Sequence, residues 1–272
     1  FKNARFLFVY FFVTTILLLN SSCKRNDLNL PNYHPFDNSS TVTTTIYGRI
    51  LNSSGSVVSG AQVLCAGHTT TTDAFGFFMF KNILTPKRAT TVHVHANAYF
   101  PGSRSFSVKA CDCVKADIVL MPMGTPQQFN STEEADVHFD KLDLHFGKNS
   151  IVSKTSGLPY SGIVQVYAHV LDPTDSITRL TMPGALLGLT QDGLEERLLT
   201  SYGMFVAELQ DLNGNPLQIK PNEQVHFSLT VPSALMSKAP SSVPLWHFDE
   251  SSTLWQEEGQ AQLVSGNYEG DV

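Results

Sequence analysis

The fold class follows from three neighbouring stretches of sequence: TTTIYGRIL at 43–51, GAQVLC at 60–65 and TDAFGFFMF at 72–80. Apolar and polar residues alternate in each stretch, so that Ile46 and Ile50 share one face of a strand. Turn-forming residues separate the stretches every eight to twelve positions or so, as in all-β domains. The pattern predicts an all-β fold, and no stretch here has helical periodicity.

The alternation continues in TVHVHA at 91–96 and KADIVLM at 115–121. At the start of the third stretch, Asp73 and Gly76 predict a turn, since the Asp side chain bonds to nearby backbone and Gly accepts a positive φ. Cys65 reads as a small buried hydrophobe. The strands together predict one core, made of Ile46, Ile50, Ala61, Val63, Cys65, Phe78, Phe80, Val92, Val94, Ala96, Ala116, Ile118 and Leu120.

Residues 43–121 resemble the carboxypeptidase regulatory-like domain, a prealbumin-like (transthyretin-like) β-sandwich. The likeness rests on the strings IYGRI, GAQV, TDAFGFFMF and VHANAYF. This chain departs from the family at Ala98, because the family has glycine before the aromatic residue that is Tyr99 here. The resemblance implies a non-catalytic module that is appended to other domains.

A linker that contains proline and glycine leads to a second period-two region, which we place at residues 124–272. IVQVYAHV at 163–170 and VHFSLTV at 225–231 alternate, and Asn213-Gly214 is a strong hairpin signal. The predicted buried residues of these two strands are Val164, Val166, Ala168, Val170, Val225, Phe227, Leu229 and Val231.

The second region resembles the β-sandwich of cartilage intermediate layer protein, an Ig-like or jelly-roll-like fold. The likeness rests on MPGALLG at 182–188, LLTSYGMFVAELQDLNG at 198–214 and PLWHFDESSTLWQEEGQAQL at 244–263. It implies that the domain is truncated, with a closing strand expected beyond Val272. For GLEERLL at 193–199, the sequence is equally compatible with a short turn of helix and with a loop.

The N-terminal segment has the order of a bacterial lipoprotein signal. Basic Lys2 and Arg5 precede or flank an apolar run that ends at Leu19, and Cys23 follows small residues. We predict a signal peptide at 1–22, lipidation of Cys23 and a flexible tether at 23–42. The alternative is an uncleaved anchor helix, and either one tethers the protein to a membrane. The expected location is the outer membrane, the cell surface or the periplasm.

Composition and charge argue against nucleic acid as a partner. Charged residues make up 15% of the chain, the net charge is −6, and no basic run follows the signal, which argues against nucleic acid. With Cys23 lipidated, Cys65, Cys111 and Cys113 remain, and an odd number cannot form a complete disulfide framework.

The common catalytic and cofactor motifs are missing from the sequence: the Gly-x-Ser-x-Gly elbow, the His-Glu-x-x-His helix, the P-loop and the dinucleotide fingerprint. We therefore predict no enzyme activity, no catalytic residue and no cofactor. His93 with His95, and Cys111 with Cys113, have spacings that could assemble a zinc site. The favoured interpretation is that both pairs decorate strand faces, and no metal site is predicted.

The tripeptide from His226 to Ser228 resembles the site at which related netrin-receptor and ankyrin-type sandwiches cleave themselves. There, the serine attacks the preceding peptide bond and the histidine assists. An ordinary strand is the favoured interpretation, because the tripeptide lies before the family's usual position.

Five aromatic residues in or beside turn-rich segments are candidates for ligand contact: Tyr99, Phe100, Tyr160, Trp246 and Trp255. The alternative, which we favour for the two tryptophans, is that they pin a hairpin across its two strands and are mostly buried.

The sequence thus predicts a non-catalytic surface lipoprotein that binds or presents an extracellular glycan or protein. The alternative is an accessory or regulatory portion of a larger secreted peptidase or outer-membrane transport system.

Overall fold

The computed structural model of the chain describes residues 7–12 and 37–272. It confirms the predicted all-β fold class, with two sandwiches and two single-turn helices. The predicted lipidation site, Cys23, and most of the predicted tether lie outside the described residues. The strands are β1 Leu7–Phe12, β2 Thr41–Asn52, β3 Gln62–Cys65, β4 His68–Thr71, β5 Phe77–Pro86, β6 Thr90–His95, β7 Gly102–Phe106, β8 Cys113–Lys115, β9 Ile118–Leu120, β10 Gln127–Asn130, β11 Ala135–Phe139, β12 Leu142–Phe146, β13 Ile151–Ser153, β14 Ile163–Leu171, β15 Leu187–Leu189, β16 Glu196–Leu198, β17 Ser201–Gln210, β18 Pro216–Ile219, β19 Val225–Thr230, β20 Ser242–Asp249, β21 Leu254–Val264 and β22 Asn267–Asp271, and the helices are α1 Thr178–Thr181 and α2 Ser233–Met236.

The first domain packs two four-stranded sheets face to face. One has the order β5-β2-β8, with β9 also along β2, and the other has the order β4-β3-β6-β7. Every predicted core residue is buried except Ala96, which is partly buried. β2 begins at Thr41, and the amide of Asn38 donates to the Ala89 carbonyl at 2.9 Å. The last residues of the predicted tether are therefore part of the folded domain.

The turn before β5 has the predicted chemistry. Asp73 Oδ1 accepts hydrogen bonds from the backbone N–H groups of Phe75 and Phe77, at 2.8 and 2.9 Å. Gly76 has a φ of +70°, and a Cβ there would lie 2.6 Å from the Ile50 carbonyl oxygen. Glycine is required because both the backbone conformation and the close approach exclude a side chain.

The second domain is one long sheet that curls around a single core. Its order is β10-β14-β17-β1-β20-β21-β22-β19-β12-β11, and its two ends meet where Phe129 stacks on Phe146 with 4.8 Å between ring centroids. The predicted core positions of β14 and β19 are buried, except Ala168 and Val170, which are partly buried. Gly214, at +80°, lies in the predicted hairpin between β17 and β18.

Three local features differ from the sequence-based expectations. Neither a helical turn nor a simple loop spans 193–199, because Glu196–Leu198 form β16 against β15. The helices α1 and α2 were not predicted, since four residues are too few to show a helical period.

Within the described ranges, no helix is long and apolar enough to cross a membrane.

Strand β1 comes from the segment that we interpreted as the apolar run of a signal peptide. It lies between β17 and β20 and is antiparallel to both. Tyr10, for example, is in register with Met204 on one side and Trp246 on the other. In the structure this segment therefore completes the second sheet.

The two domains share a buried apolar cluster, here called the interdomain cluster. Phe100 and Met121 come from the first domain, and the second supplies Leu171, Leu199, Met204, Val206, Trp246, Phe248 and Trp255. The backbone N–H of Gly184 also donates to Ser103 Oγ at 3.2 Å, and Arg88 forms an ion pair with Glu196. The domains are joined by a packed interface as well as by the chain.

Candidate functional site

A cavity of about 520 Å³ opens at one end of the second sandwich. We call it the β17–β18 cavity, because these two strands form much of its wall. Its floor is apolar and includes Leu144, Phe146, Leu209, Leu217 and Val225. Its rim is polar and includes Lys154, Gln218, Asn222, Glu223, His247 and Glu258.

Local sequence explains why the rim lies where it does. The hairpin at Gly214 turns β18 back along β17, and β18 also pairs with β13. Lys154 follows β13 directly, and its backbone N–H donates to the Pro216 carbonyl at 3.0 Å. After β18 the chain turns through Asn222, whose φ is +71°, a conformation that asparagine tolerates well. The polar residues of two turns are thus placed over an apolar core.

Glu208 is the most unusual residue in the lining. The residue is partly buried, and its Oε1 is shielded from solvent with no hydrogen-bond partner. Burial raises the pKa of its carboxyl group to about 7, and the positive charge of Lys154 only partly opposes this shift. Near neutral pH this carboxyl group is therefore poised between its protonated and ionised forms.

Glu250, in the turn between β20 and β21, belongs to the same electrostatic cluster. Burial raises its pKa to about 7, Lys154 lowers it, and Glu208 and Asp249 raise it further. Lys154 therefore interacts with both carboxyl groups, and the Glu208 carboxylate disfavours ionisation of Glu250.

His247 and Glu258 face each other at the β20 side of the cavity. His247 Nδ1 lies 2.8 Å from Glu258 Oε2, close enough for an ion pair but not aligned as a hydrogen bond. Together with the amides of Gln218 and Asn222, these groups offer donors and acceptors around an apolar floor. Such an arrangement can bind a small polar molecule with a partly apolar face.

Three of the five predicted aromatic contacts are inaccessible. Phe100, Trp246 and Trp255 are 0% exposed and meet in the interdomain cluster, so a ligand at the surface cannot stack on them. Trp255 Nε1 donates to the Ala185 carbonyl at 2.8 Å. The predicted pairing of the two tryptophans across the hairpin is also wrong, because Phe248 is in register with Trp255 and Trp246 with Glu257. Both of these pairs lie between the bulge after Leu245 and the turn, so the turn at 250–253 sets their register.

Tyr99 and Tyr160 are partly buried and lie in different domains. Tyr99 packs against the first core and forms an isolated bridge with Pro122. Tyr160 packs against the second core, and its hydroxyl donates to the Ile163 carbonyl at 3.0 Å. Neither residue lines the cavity.

His226 and Ser228 lie on the outer face of β19, which pairs with β12 and β22. His226 Nδ1 is 2.8 Å from Asp271 Oδ1, and Ser228 is in register with Asp143 and Glu269. β19 is a regularly paired strand. Apart from the tripeptide itself, no feature of its described surroundings supports self-cleavage.

The structure does not bring the predicted histidine and cysteine pairs together. His93 and His95 lie on β6 of one sheet, whereas Cys113 begins β8 of the other. Burial, with a smaller effect from His95, lowers the pKa of His93 to about 4, so its ring is neutral at pH 7. Within residues 7–12 and 37–272, no group of three or more His, Cys, Asp or Glu side chains is arranged to hold a metal.

The cavity residues were missed by the sequence analysis. One signal was available: in the strand VAELQDL, Glu208 shares a face with Met204 and Val206, both buried. An acid on the buried face of an apolar strand marks a place where function or a specific partner compensates for burial.

No protein-family model and no curated protein matches the chain. A chain of a type II cohesin–X-dockerin complex from Acetivibrio cellulolyticus is similar to 29% of this chain, with 20% identity and a TM-score of 0.24. The match covers 58% of the length of that cohesin–X-dockerin chain. A candidate membrane-associated protein of unknown function from Bacteroides fragilis is 11% identical over 85% of this chain and 94% of its own, with a TM-score of 0.26. A candidate carbohydrate-binding protein from Bacteroides uniformis is 11% identical over 85% of this chain and 99% of its own length, with a TM-score of 0.24. These scores are too low to carry an argument about function.

Proposed function

We propose that the chain is a non-catalytic cell-surface lipoprotein that binds an extracellular glycan at the β17–β18 cavity. The observation that carries the proposal is the cavity itself. Its volume of about 520 Å³ falls in the range of roughly 300–1,000 Å³ that is typical of small-molecule sites. A concave site of this size suits one or two sugar rings better than the flatter surface of a protein partner.

The lining supports a sugar in particular. Carboxylate and amide groups at Gln218, Asn222, Glu223 and Glu258 suit the hydroxyl groups of a sugar, and the apolar floor suits the C–H face of the ring. The described lining contains no serine, threonine or cysteine. Binding, rather than attack by a hydroxyl or thiol, is the chemistry that these groups favour.

The binding test compares Gln218→Ala with a matched control, Gln128→Ala, by calorimetry against a panel of soluble polysaccharides and their oligosaccharides. Gln218 is on the cavity rim, whereas Gln128 is exposed on β10 and outside the cavity. For a glycan that binds the natural chain, we expect Gln218→Ala to weaken binding about tenfold, the loss of roughly one hydrogen bond. Gln128→Ala should bind normally. Equal affinity in both variants, or no binding across the panel, would disprove the glycan proposal.

The anchor is tested separately, since it depends on Cys23 and not on the cavity. Cells that express the exported chain are labelled with radioactive palmitate, and Cys23→Ser is the control. Label on the natural chain but not on Cys23→Ser supports the anchor. Equal label on both, or none on either, would contradict it.

A further inference from the structure

The second sheet contains a groove whose two walls are strands that do not touch each other. β17 and β20 run parallel, and β1 lies between them as the antiparallel neighbour of both. Adjacent strands are about 4.8 Å apart, so the two walls are separated by roughly 10 Å. Only an extended segment one strand wide can bridge them.

Both faces of a strand in this groove are enclosed. On β17, Phe205 and Ala207 point into the second core, while Met204 and Val206 point into the interdomain cluster. On β20, Leu245 points into the second core and Trp246 points into the interdomain cluster. A strand between β17 and β20 therefore has an apolar cluster beside each face of the sheet, as in a fully covered sheet.

The segment that occupies the groove meets this requirement. Residues 7–12 read LFVYFF, with no charged residue and a single polar side-chain group, the hydroxyl of Tyr10. A strand with alternating polar residues would place polar groups in one of the two clusters, at a cost of about 1–3 kcal/mol for each unpaired group.

Removal of the segment would leave the groove in an unfavourable state. The inward-facing N–H and C=O groups of β17 and β20 would lose their partners in the middle of a sandwich, where unpaired backbone groups are rare. A buried donor also lies beside the groove, since Trp246 Nε1 has no hydrogen-bond partner. An empty groove would thus be a strong acceptor for another strand.

We propose that the β17–β20 groove is a peptide-binding site that accepts an extended, uncharged apolar segment of a partner polypeptide, with six or so residues antiparallel to both walls. Leu7–Phe12 is its intramolecular occupant before processing. In the mature protein the groove is vacated, a step that rests on the proposed cleavage before Cys23. Main-chain hydrogen bonds to both walls would supply affinity, and the two apolar faces would supply specificity.

The test uses the full chain, produced without export, with a specific protease site inserted between residues 26 and 32. The probe is a fluorescent peptide, LFVYFF with two lysines at each end for solubility, and the matched control replaces its valine with proline. We expect saturable binding of the probe to the cut chain, and at least tenfold less binding to the uncut chain. In the uncut chain the tethered segment competes at an effective concentration in the millimolar range. The proline peptide should bind poorly because it lacks an N–H group and disrupts strand pairing.

A disulfide measurement fixes the register. Phe8 is in register with Val206 and Tyr10 with Met204. A probe with cysteine in place of its first phenylalanine should crosslink to the cut Val206→Cys chain and much less to Met204→Cys, which serves as the matched control.

Four outcomes would overturn the proposal: no saturable binding to the cut chain, equal binding of the proline peptide, equal crosslinking at both positions, or a dimer of the cut chain that excludes the probe. If the cut chain precipitates, rescue by the probe supports the proposal and failure of rescue contradicts it. None of these measurements depends on lipidation. A failed palmitate experiment and a failed peptide experiment are therefore distinguishable.

Discussion

Single residues explain two of the motifs that we noticed in the sequence. In MPGALLG, a Cβ at Gly184 would overlap the ring of Phe248, and one at Gly188 would lie 2.5 Å from the ring of Trp246. The glycines therefore make room for the aromatic residues of PLWHF. The sequence predicted that the tryptophans are buried, but it could not show that these glycines and Phe100 pack around them. Such a contact depends on a domain interface, which a period of two does not encode.

Glu208 gives a prediction at the same scale. Because its folded pKa is raised to about 7, the folded state holds a proton that the unfolded state releases above pH 4.5. The contribution of this protonated carboxyl group to the free energy of unfolding is fully present below pH 4.5 and is lost as the pH rises through 7. Glu208→Gln removes the titration, so it should raise the free energy of unfolding at pH 8 by roughly 1–3 kcal/mol and have little effect at pH 4.5.

Urea unfolding at the two pH values measures the effect. Glu133→Gln, at an exposed position, is the control and should change little at either pH. A gain for Glu208→Gln that is the same at pH 4.5 and pH 8 would show that burial of the charge is not its cause.

At the scale of elements, strands with clear alternation were predicted well, and short elements were not. The residues of β19 alternate between buried and more exposed positions as expected, because this strand has one face on a core. β16 has three residues and no buried residue, so its sequence carries no period. The groove was also beyond prediction from alternation, since a segment covered on both faces reads only as an apolar run. LFVYFF was interpreted as part of a signal segment because it lies in an apolar run that follows Lys2 and Arg5 and precedes Cys23.

The turn before β5 allows a test of an element boundary. Asp73→Ala removes the acceptor of two backbone N–H groups, so it should destabilise the first domain by about 1–2 kcal/mol. Asp73→Asn keeps an oxygen at the same position and should recover at least half of that loss. Thermal unfolding of the three proteins measures the difference. If the two substitutions are equally harmful, the hydrogen bonds to Oδ1 are not what stabilises the turn.

At the scale of the whole molecule, the two domains are coupled by apolar packing. Phe100 lies between β6 and β7 of the first domain, yet it is buried in one cluster with Trp246 and Trp255 of the second. Each domain also has a core of its own, so the interface is an addition to two sets of independent contacts. Coupling of this kind makes two domains unfold together when the interface free energy is a large part of the stability of the weaker one.

Phe100→Ala should therefore separate the two unfolding transitions. A buried Phe to Ala change costs about 3–5 kcal/mol, and here most of that cost falls on the interface. We expect one thermal transition in the natural chain and two in Phe100→Ala, by calorimetry. Phe80→Ala is the matched control, because Phe80 is buried in the core of the first domain alone. That variant should weaken the first domain with the interface contacts still in place, so the transition should move to lower temperature and stay single. Two transitions in both variants, or one in both, would show that the interdomain cluster is not what couples the domains.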